Sequence, residues 1–252
     1  MRAHASIVIV GAGIAGCSAA YHLTQLGWRD ILVVDKGPIF ETGGSTSHAP
    51  GLIFQTNYSK LMTEFAKYTV ATLKPLTYQG EQCLYQVGGI EVATTPARWA
   101  ELKRKQGAAR SYGLEGHLLT PQEVKARIPI LDDRVILGGY YVPTDADVRG
   151  WYCAAALAEL AMASGGAEFV GNVTAETIDV QHGRARAVVT DQGIITCDHV
   201  LRRQPGHHSR ARRQSVAPLR KRRRPPAAVG QRLAKRPAMA RPAPGVGSSP
   251  RR

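Results

Sequence analysis

Three glycines and one acid near the start of the chain have the types and spacing that nucleotide binding requires: Gly11, Gly13, Gly16 and Asp35. The first glycine allows a sharp turn, the second lets the backbone approach a pyrophosphate, and the third lets a helix pack close to a strand. A helix that begins here offers unpaired N–H groups and a positive dipole to the phosphates. A carboxylate at Asp35 can accept both ribose hydroxyls and would repel a 2′-phosphate, which favours NAD or FAD over NADP.

The flanking residues predict the elements that position these groups. The β-branched run 6–10 predicts a buried strand, residues 15–26 have helical spacing of apolar side chains, and residues 31–34 predict a second buried strand that ends at the acid. A glycine motif alone is a weak signal. With a strand, a helix and a second strand in register, it predicts a dinucleotide-binding βαβ unit.

The charge of the chain is concentrated at one end. Of a net charge of +14, residues 199–252 carry 16 of the 33 Lys and Arg and no Asp or Glu; they also hold 8 of the 15 prolines and no aromatic residue other than histidine. Such a composition buries too little apolar surface to order itself, so residues 199–252 are predicted to be a disordered, Arg/Pro-rich basic tail. The charge therefore indicates nothing about the partners of the folded part.

The cysteines and the hydropathy indicate a compartment. The four cysteines, at positions 17, 83, 153 and 197, form no CxxC pair, which favours reduced thiols over a disulfide framework, and no metal site is predicted. No run of about eighteen apolar residues predicts a membrane span, and a first strand at residue 6 leaves no room for a targeting peptide. We expect a cytoplasmic protein without membrane contact.

The rest of the chain alternates helices and strands. A polar, glycine-rich loop at 41–51 is predicted to contain no regular element. Four more helices are predicted: one over 58–73 capped by Asn57, one over 96–108, one that starts at Thr120, and one that runs from a cap at Asp147 to residue 163. A β-hairpin is predicted around Gly88-Gly89, and further strands are predicted at 138–143, 168–174, 184–190 and 193–197. The acids Asp145 and Asp147 are interpreted as a turn and a cap rather than an acid/base couple.

This order of elements predicts an α/β fold. A Rossmann-like nucleotide-binding domain over 1–198 is interrupted at about 80–145 by part of a mixed-sheet substrate domain, and the basic tail follows.

The loop Gly-Gly-Ser-Thr-Ser-His-Ala-Pro-Gly at 43–51, with residues 52–57 behind it, resembles the dimethylglycine/sarcosine dehydrogenase family of D-amino-acid-oxidase-like flavoproteins. The similarity runs from Ile7 to about Val200. It implies FAD as the cofactor and oxidation of an N-methyl amine, such as dimethylglycine or sarcosine, by hydride transfer to the flavin. It also implies tetrahydrofolate in full-length relatives, whose folate-binding domain is absent here.

By position, the resemblance implies which residues contact FAD. Besides the three glycines, these are Ile14, Ala15, Asp35, Lys36, Gly44, Ser45, Thr46, Ser47, His48, Leu52 and Val173. Val173 matches the position whose backbone holds the adenine, and His48 matches the histidine that the family links covalently to the flavin, a bond that makes the flavin a better hydride acceptor. By its spacing alone, His48 would be read as a solvent-facing loop histidine.

The sequence departs from the family after about Val200, where relatives continue with a small-residue Ala-Gly segment. The catalytic residues are therefore unknown and expected in sequence missing here, and we expect a truncated, inactive fragment whose residues 199–252 come from out-of-frame translation.

One alternative is a polybasic tail that binds nucleic acid through its phosphates, and adventitious binding of this kind is expected in either case. Another is an NAD-dependent dehydrogenase, against which the loop at 43–51 argues.

Overall fold

A computed structural model describes residues 2–41 and 43–202, which form an α/β fold. The helices are α1 Ile14–Gln25, α2 Ser45–His48, α3 Lys60–Leu73, α4 Pro96–Ser111, α5 Pro121–Arg127 and α6 Gly150–Ala163. The strands are β1 His4–Val10, β2 Ile31–Val34, β3 Leu52–Ile53, β4 Thr77–Tyr78, β5 Glu81–Gln82, β6 Leu84–Tyr85, β7 Gly89–Ala93, β8 His117–Leu119, β9 Gly138–Val142, β10 Ala146–Val148, β11 Ala167–Val170, β12 Ala175–Gln181, β13 Arg184–Thr190 and β14 Gly193–Arg202.

The main sheet has the strand order β11-β2-β1-β14-β13-β12. Strands β11, β2, β1 and β14 are parallel, whereas β13 and β12 add to them as an antiparallel edge. Alternate residues of β1 and β2 enter two cores: Ile9 and Val33 pack with α1 and α6, while Val8 and Leu32 pack with β13 and β14. Because both faces are covered, residues 7–10 of β1 and all of β2 are continuously apolar, as the sequence indicated. The predicted α/β fold with its βαβ start is confirmed.

The last strands differ from the prediction in two ways. Strand β11 pairs in parallel with β2 instead of joining a meander, and the meander consists of β12, β13 and β14. Strand β12 was missed because it is an edge strand with polar or half-buried residues, so its sequence lacks a strong apolar alternation.

The predicted disordered tail was wrong at its first four residues. Strand β14 continues to Arg202, and its backbone pairs with β1 from Ile7 opposite His199 to Val10 opposite Arg202. Backbone pairing with a central strand orders this segment despite its basic side chains. Residues 203–252 lie outside the described residues. The frame error and the nucleic-acid binding expected of the tail therefore stay predictions.

A second, smaller sheet lies within the interval that the sequence analysis assigned to a substrate domain. It has the order β7-β9-β8, is antiparallel, and packs with α4 and α5 around its own apolar residues, among them Leu102, Val124 and Tyr140. The boundaries 1–198 and 80–145 stay predictions.

The predicted hairpin at Gly88-Gly89 is wrong, because β6 pairs with β10 and β7 pairs with β9. Gly88 has φ +76°, and an added Cβ would collide with Tyr141 at Gly88 and with Asp145 at Gly89. The two glycines therefore carry the chain past these side chains from one sheet into another instead of closing a turn between paired strands.

Local capping signals were predictive in one helix and misplaced in two. Thr120 and Glu123 form the expected capping box at the start of α5. Helix α3 is capped by Ser59 rather than Asn57, whose side-chain oxygen instead accepts from the Ser59 N–H. Asp147 lies in β10, and α6 begins three residues later.

The two-sided burial of β2 gives a test of the main sheet. Leu32 is fully buried, whereas Ile194 on β14 is 60% exposed. We expect Leu32→Ala to lower the free energy of unfolding by about 2–5 kcal/mol, through lost burial and the cavity left behind, and Ile194→Ala to change it little. Urea unfolding measures both, and equal losses for the two variants would contradict the predicted core.

Candidate nucleotide-binding site

The glycine turn after β1 has the tight geometry expected of a phosphate-binding loop. Gly11 has φ +108°, and its N–H donates to the carbonyl oxygen of Val34 at 2.8 Å, which ties the turn to the end of β2. A Cβ on Gly16 would overlap the carbonyl oxygen of Gly11. Helix α1 can therefore approach the turn only because position 16 has no side chain.

The start of α1 is capped from outside the helix. Its N-cap residue, Gly13, has no side chain, and the N–H of Ile14 donates to Oγ1 of Thr46 at 3.0 Å. A Cβ on Gly13 would lie 3.0 Å from the same oxygen. The N–H of Ile14 is thus already engaged, which leaves those of Ala15 and Gly16, for which an α-helix provides no internal acceptor.

Asp35 is held against the glycine turn. One carboxylate oxygen accepts from the N–H of Ala12 at 2.7 Å, and the other accepts from the N–H of Gly37 at 2.9 Å. Each oxygen keeps a further lone pair that can accept from a ribose hydroxyl. The backbone carbonyl of Asp35 also accepts from the N–H of Val173 at 2.8 Å, which places Val173 beside this acid. Lys36 is exposed beside this site.

Cys17 supports the turn, a role that its sequence context did not signal. Its Sγ donates to the carbonyl oxygen of Ala12 at 3.1 Å. Burial, reinforced by the nearby charge of Asp35, raises the pKa of Cys17 to about 12, so the thiol remains protonated and able to donate.

All four cysteines are buried and free. In the described part of the chain, no three His, Cys, Asp or Glu side chains group as metal ligands, and no helix is long and apolar enough to span a bilayer.

The loop predicted to be irregular contains the short helix α2. Thr46 is buried, whereas Ser45, Ser47 and His48 are exposed. Nδ1 of His48 lies 2.9 Å from the carbonyl oxygen of Gly44. A carbonyl can only accept, so Nδ1 carries the hydrogen in the neutral ring and Nε2 carries the lone pair.

Two further elements hold this loop. The carbonyl oxygen of Thr46 lies against Gly150 at the start of α6, where an added Cβ would come within 2.8 Å of it. At the end of the loop, the carbonyl oxygen of Gly51 accepts from the N–H of Val148 at 2.7 Å, and exposed Leu52 pairs with β10. The structure therefore connects the loop to the glycine turn through Thr46 and to β10 through Gly51.

Asp145 is more than the turn residue that its sequence indicated. It is only 4% exposed, and its Oδ1 accepts from the N–H of Gln55 at 2.9 Å. Burial raises the pKa of Asp145 to about 6, an effect that the hydrogen bonds from Gln55 partly oppose. Nothing in the local sequence distinguishes it from exposed Asp147, since its burial arises from the crossing of distant segments.

A comparison with protein families identifies the fold and its cofactor. The family described as FAD dependent oxidoreductase (DAO) matches residues 6–224. The chain belongs to this family. FAD, rather than NAD, is therefore the cofactor of the predicted dinucleotide-binding unit, and the resemblance found from the loop is confirmed.

Individual relatives and one solved structure are similar to this chain. The chain is 31% identical over 203 residues to the mitochondrial pyruvate dehydrogenase phosphatase regulatory subunit of Mus musculus, covering 80% of this chain and 23% of that protein. It is 30% identical over 200 residues to the mitochondrial sarcosine dehydrogenase of Mus musculus, covering 76% and 21%. The crystal structure of L-proline dehydrogenase from P. horikoshii superposes with a TM-score of 0.73 at 22% identity, covering 81% of this chain and 53% of that one.

The residues at the turn fit FAD. A glycine turn that excludes side chains, a helix start without its own side-chain cap and a carboxylate at the end of β2 lie together at one end of the parallel strands. The glycine turn and the helix start suit a pyrophosphate, and the carboxylate suits a ribose.

Thr46 gives a direct test of the link between the loop and the turn. Thr46→Val keeps the shape but removes the acceptor of the Ile14 N–H, so we expect a loss of about 1 kcal/mol in stability, as for a helix cap, and weaker FAD binding. Thr46→Ser retains the hydroxyl and should behave as the wild type. Thermal unfolding checks the stability, and flavin titration with His48→Ala added to each variant checks the binding without covalent attachment. Identical behaviour of the Val and Ser variants would contradict the prediction.

Asp145 gives a pH dependence with a definite sign. Its pKa is raised from 3.8 to about 6 in the folded chain, so folding favours the protonated form. Its contribution to stability is complete below about pH 4 and is lost as the pH rises through about 6. Asp145→Asn mimics the neutral acid, so we expect the unfolding free energy of the wild type relative to this variant to fall across that window. Denaturant titrations measure this, and a difference independent of pH would contradict it.

Proposed function

We propose that this chain binds FAD covalently through His48 and serves the oxidation of an N-methyl amine such as dimethylglycine or sarcosine. The observation that carries the attachment is the hydrogen bond between Nδ1 of His48 and the carbonyl of Gly44. It fixes the neutral tautomer in which Nε2 is the nucleophilic atom, and His48 is exposed in the loop. The sarcosine dehydrogenase among the relatives supports the substrate class, because sarcosine is an N-methyl amine.

We assign the binding roles as follows. The N–H groups of Ala15 and Gly16 receive the pyrophosphate, and the carboxylate of Asp35 receives the ribose. The backbone carbonyl of Val173 receives the adenine, and the loop containing His48 lies beneath the flavin ring. When bound, FAD supplies the acceptor for a hydride from a carbon next to nitrogen.

The loop residues position His48 in this proposal. Ser47 donates its hydroxyl to the carbonyl of Gly44 at 2.9 Å, the same oxygen that orients the imidazole. Thr46 fixes the loop to the glycine turn, so the two halves of the cofactor site share one backbone frame. No residue in the described part of the chain is assigned as the catalytic acid or base. The chain spans about a fifth of the sarcosine dehydrogenase, so turnover, substrate choice and any use of tetrahydrofolate are proposals.

The attachment is tested with His48→Ala beside the matched control His117→Ala, which removes an exposed histidine in the smaller sheet. We expect flavin fluorescence to remain with the denatured wild type and His117→Ala chains in a gel and to be lost from His48→Ala, because the proposed attachment atom is Nε2 of His48. Fluorescence that persists in His48→Ala would contradict the proposal.

Turnover is measured separately, since one relative is named as a regulatory subunit. Bleaching of the bound flavin's visible absorbance by dimethylglycine or sarcosine without oxygen would support oxidation of these amines. A flavin-loaded chain that neither amine bleaches would contradict the proposed substrate class and leave the attachment standing.

A further inference from the structure

A buried polar junction joins the segment that leaves the FAD-binding loop to the turn after β9. Oδ1 of Asp145 accepts from the N–H of Gln55, and Nε2 of Gln55 donates to Oγ1 of Thr144 at 2.8 Å. One residue further, Oγ1 of Thr56 lies 3.0 Å from the hydroxyl of buried Tyr140. Gln55 and Asp145 are 3% and 4% exposed, so the contact between them is shielded from water.

The surrounding backbone is shaped around the carboxyl group. A Cβ on Gly89 would lie 2.7 Å from Oδ2 of Asp145, so a glycine is needed to leave space for this oxygen. The N–H of Gly88 donates to the backbone carbonyl of Asp145 at 3.0 Å, and Nε2 of Gln86 donates to that of Thr144 at 3.2 Å. The turn is thereby fixed on both sides, and its carboxyl group has a defined direction.

The junction continues directly into the loop. Immediately after Asp145, strand β10 pairs with β3, with Ala146 opposite Ile53, and the N–H of Val148 donates to the carbonyl of Gly51. The pairing of β3 with β10 covers two residues only, which is a weak hold for a loop that must keep its position. The bond between Asp145 and Gln55 lies at the end of this short ladder and extends it.

We propose that Asp145 is a positioning residue for the FAD-binding loop of residues 43–51: its carboxylate holds Gln55, and through β3 it sets the position of Thr46 and His48. The inference rests on the proposed FAD site. A buried carboxylate disfavours folding compared with a neutral group, so stability alone does not account for an acid at this position. An ionised acceptor makes a stronger hydrogen bond to a backbone N–H than a neutral one does.

The charges that act on Asp145 come from the smaller sheet and its helix. Glu91 on β7 opposes ionisation, and Lys105 on α4 favours it, while Lys105 also binds Glu91 at 2.6 Å. Burial is the larger effect and raises the pKa of Asp145 to about 6. The hold on Gln55 is therefore strongest above pH 6 and weakens as the pH falls through that value.

Three variants of the full chain test the proposal: Asp145→Ala, Asp145→Asn and the control Asp198→Asn, which removes an exposed acid on β14. The first readout is hydrogen exchange of the Gln55 amide, which needs no flavin. We expect it to be about tenfold faster in Asp145→Ala, the loss corresponding to one charge-assisted hydrogen bond, and unchanged in Asp198→Asn. Unchanged exchange in a folded Asp145→Ala chain would overturn the proposal.

The second readout is non-covalent FAD affinity against pH, measured with His48→Ala added to the wild type and to each variant so that no covalent bond forms. It separates positioning from general stabilisation. At pH 8 we expect Asp145→Asn to bind FAD more weakly than the wild type while being no less stable. Affinity of the wild type should fall as the pH is lowered through about 6 and meet that of Asp145→Asn, whose profile is flat. Equal affinities of the wild type and Asp145→Asn at pH 8, or parallel pH profiles of the two, would overturn the proposal. This comparison does not need the Asp145→Ala chain, so it holds even if that variant fails to fold.

A wild-type chain that binds no FAD would refute the proposed function. The exchange of the Gln55 amide would then still show whether Asp145 holds the segment that leaves the loop.

Discussion

The hydrogen bond from the N–H of Ile14 to the hydroxyl of Thr46 is the interaction on which the cofactor site depends. The glycine at the start of α1 must lack a side chain for the backbone to approach a phosphate, and so it cannot cap its own helix. The loop supplies the missing cap. One contact thereby satisfies the helix start and fixes where the loop, with His48 in it, lies relative to the glycine turn.

The other end of the loop depends on long-range contacts of a different kind. Short pairing of β3 with β10 and the buried bond between Gln55 and Asp145 hold it against the turn after β9. The loop is thus held at one side by the start of α1 and at its end by β10 and the turn after β9. This arrangement would suit the proposed binding mode, in which the glycine turn receives the pyrophosphate of the flavin and the loop lies at its ring.

The sequence predicted the features that depend on neighbouring residues. The turn at Gly11, the close packing at Gly16 and the strand that ends before Asp35 were predicted correctly because a tight turn between strand and helix imposes its own spacing. The cap at Thr120 was recognised because a capping box is local. The prediction failed where distant segments decide. Gly88-Gly89 resembles a hairpin turn in sequence, but the strands on either side of it pair with distant strands, β6 with β10 and β7 with β9. The burial of Asp145 likewise arises from segments about ninety residues apart along the chain.

The most direct test of the account is mass analysis of the tryptic peptide Gly37–Lys60, which contains the whole loop and His48 as its one histidine. The wild-type chain is expected to yield this peptide carrying one covalent flavin, with fragmentation that places the flavin on His48. Recovery of only the unmodified peptide, with FAD released intact on denaturation, would contradict the account.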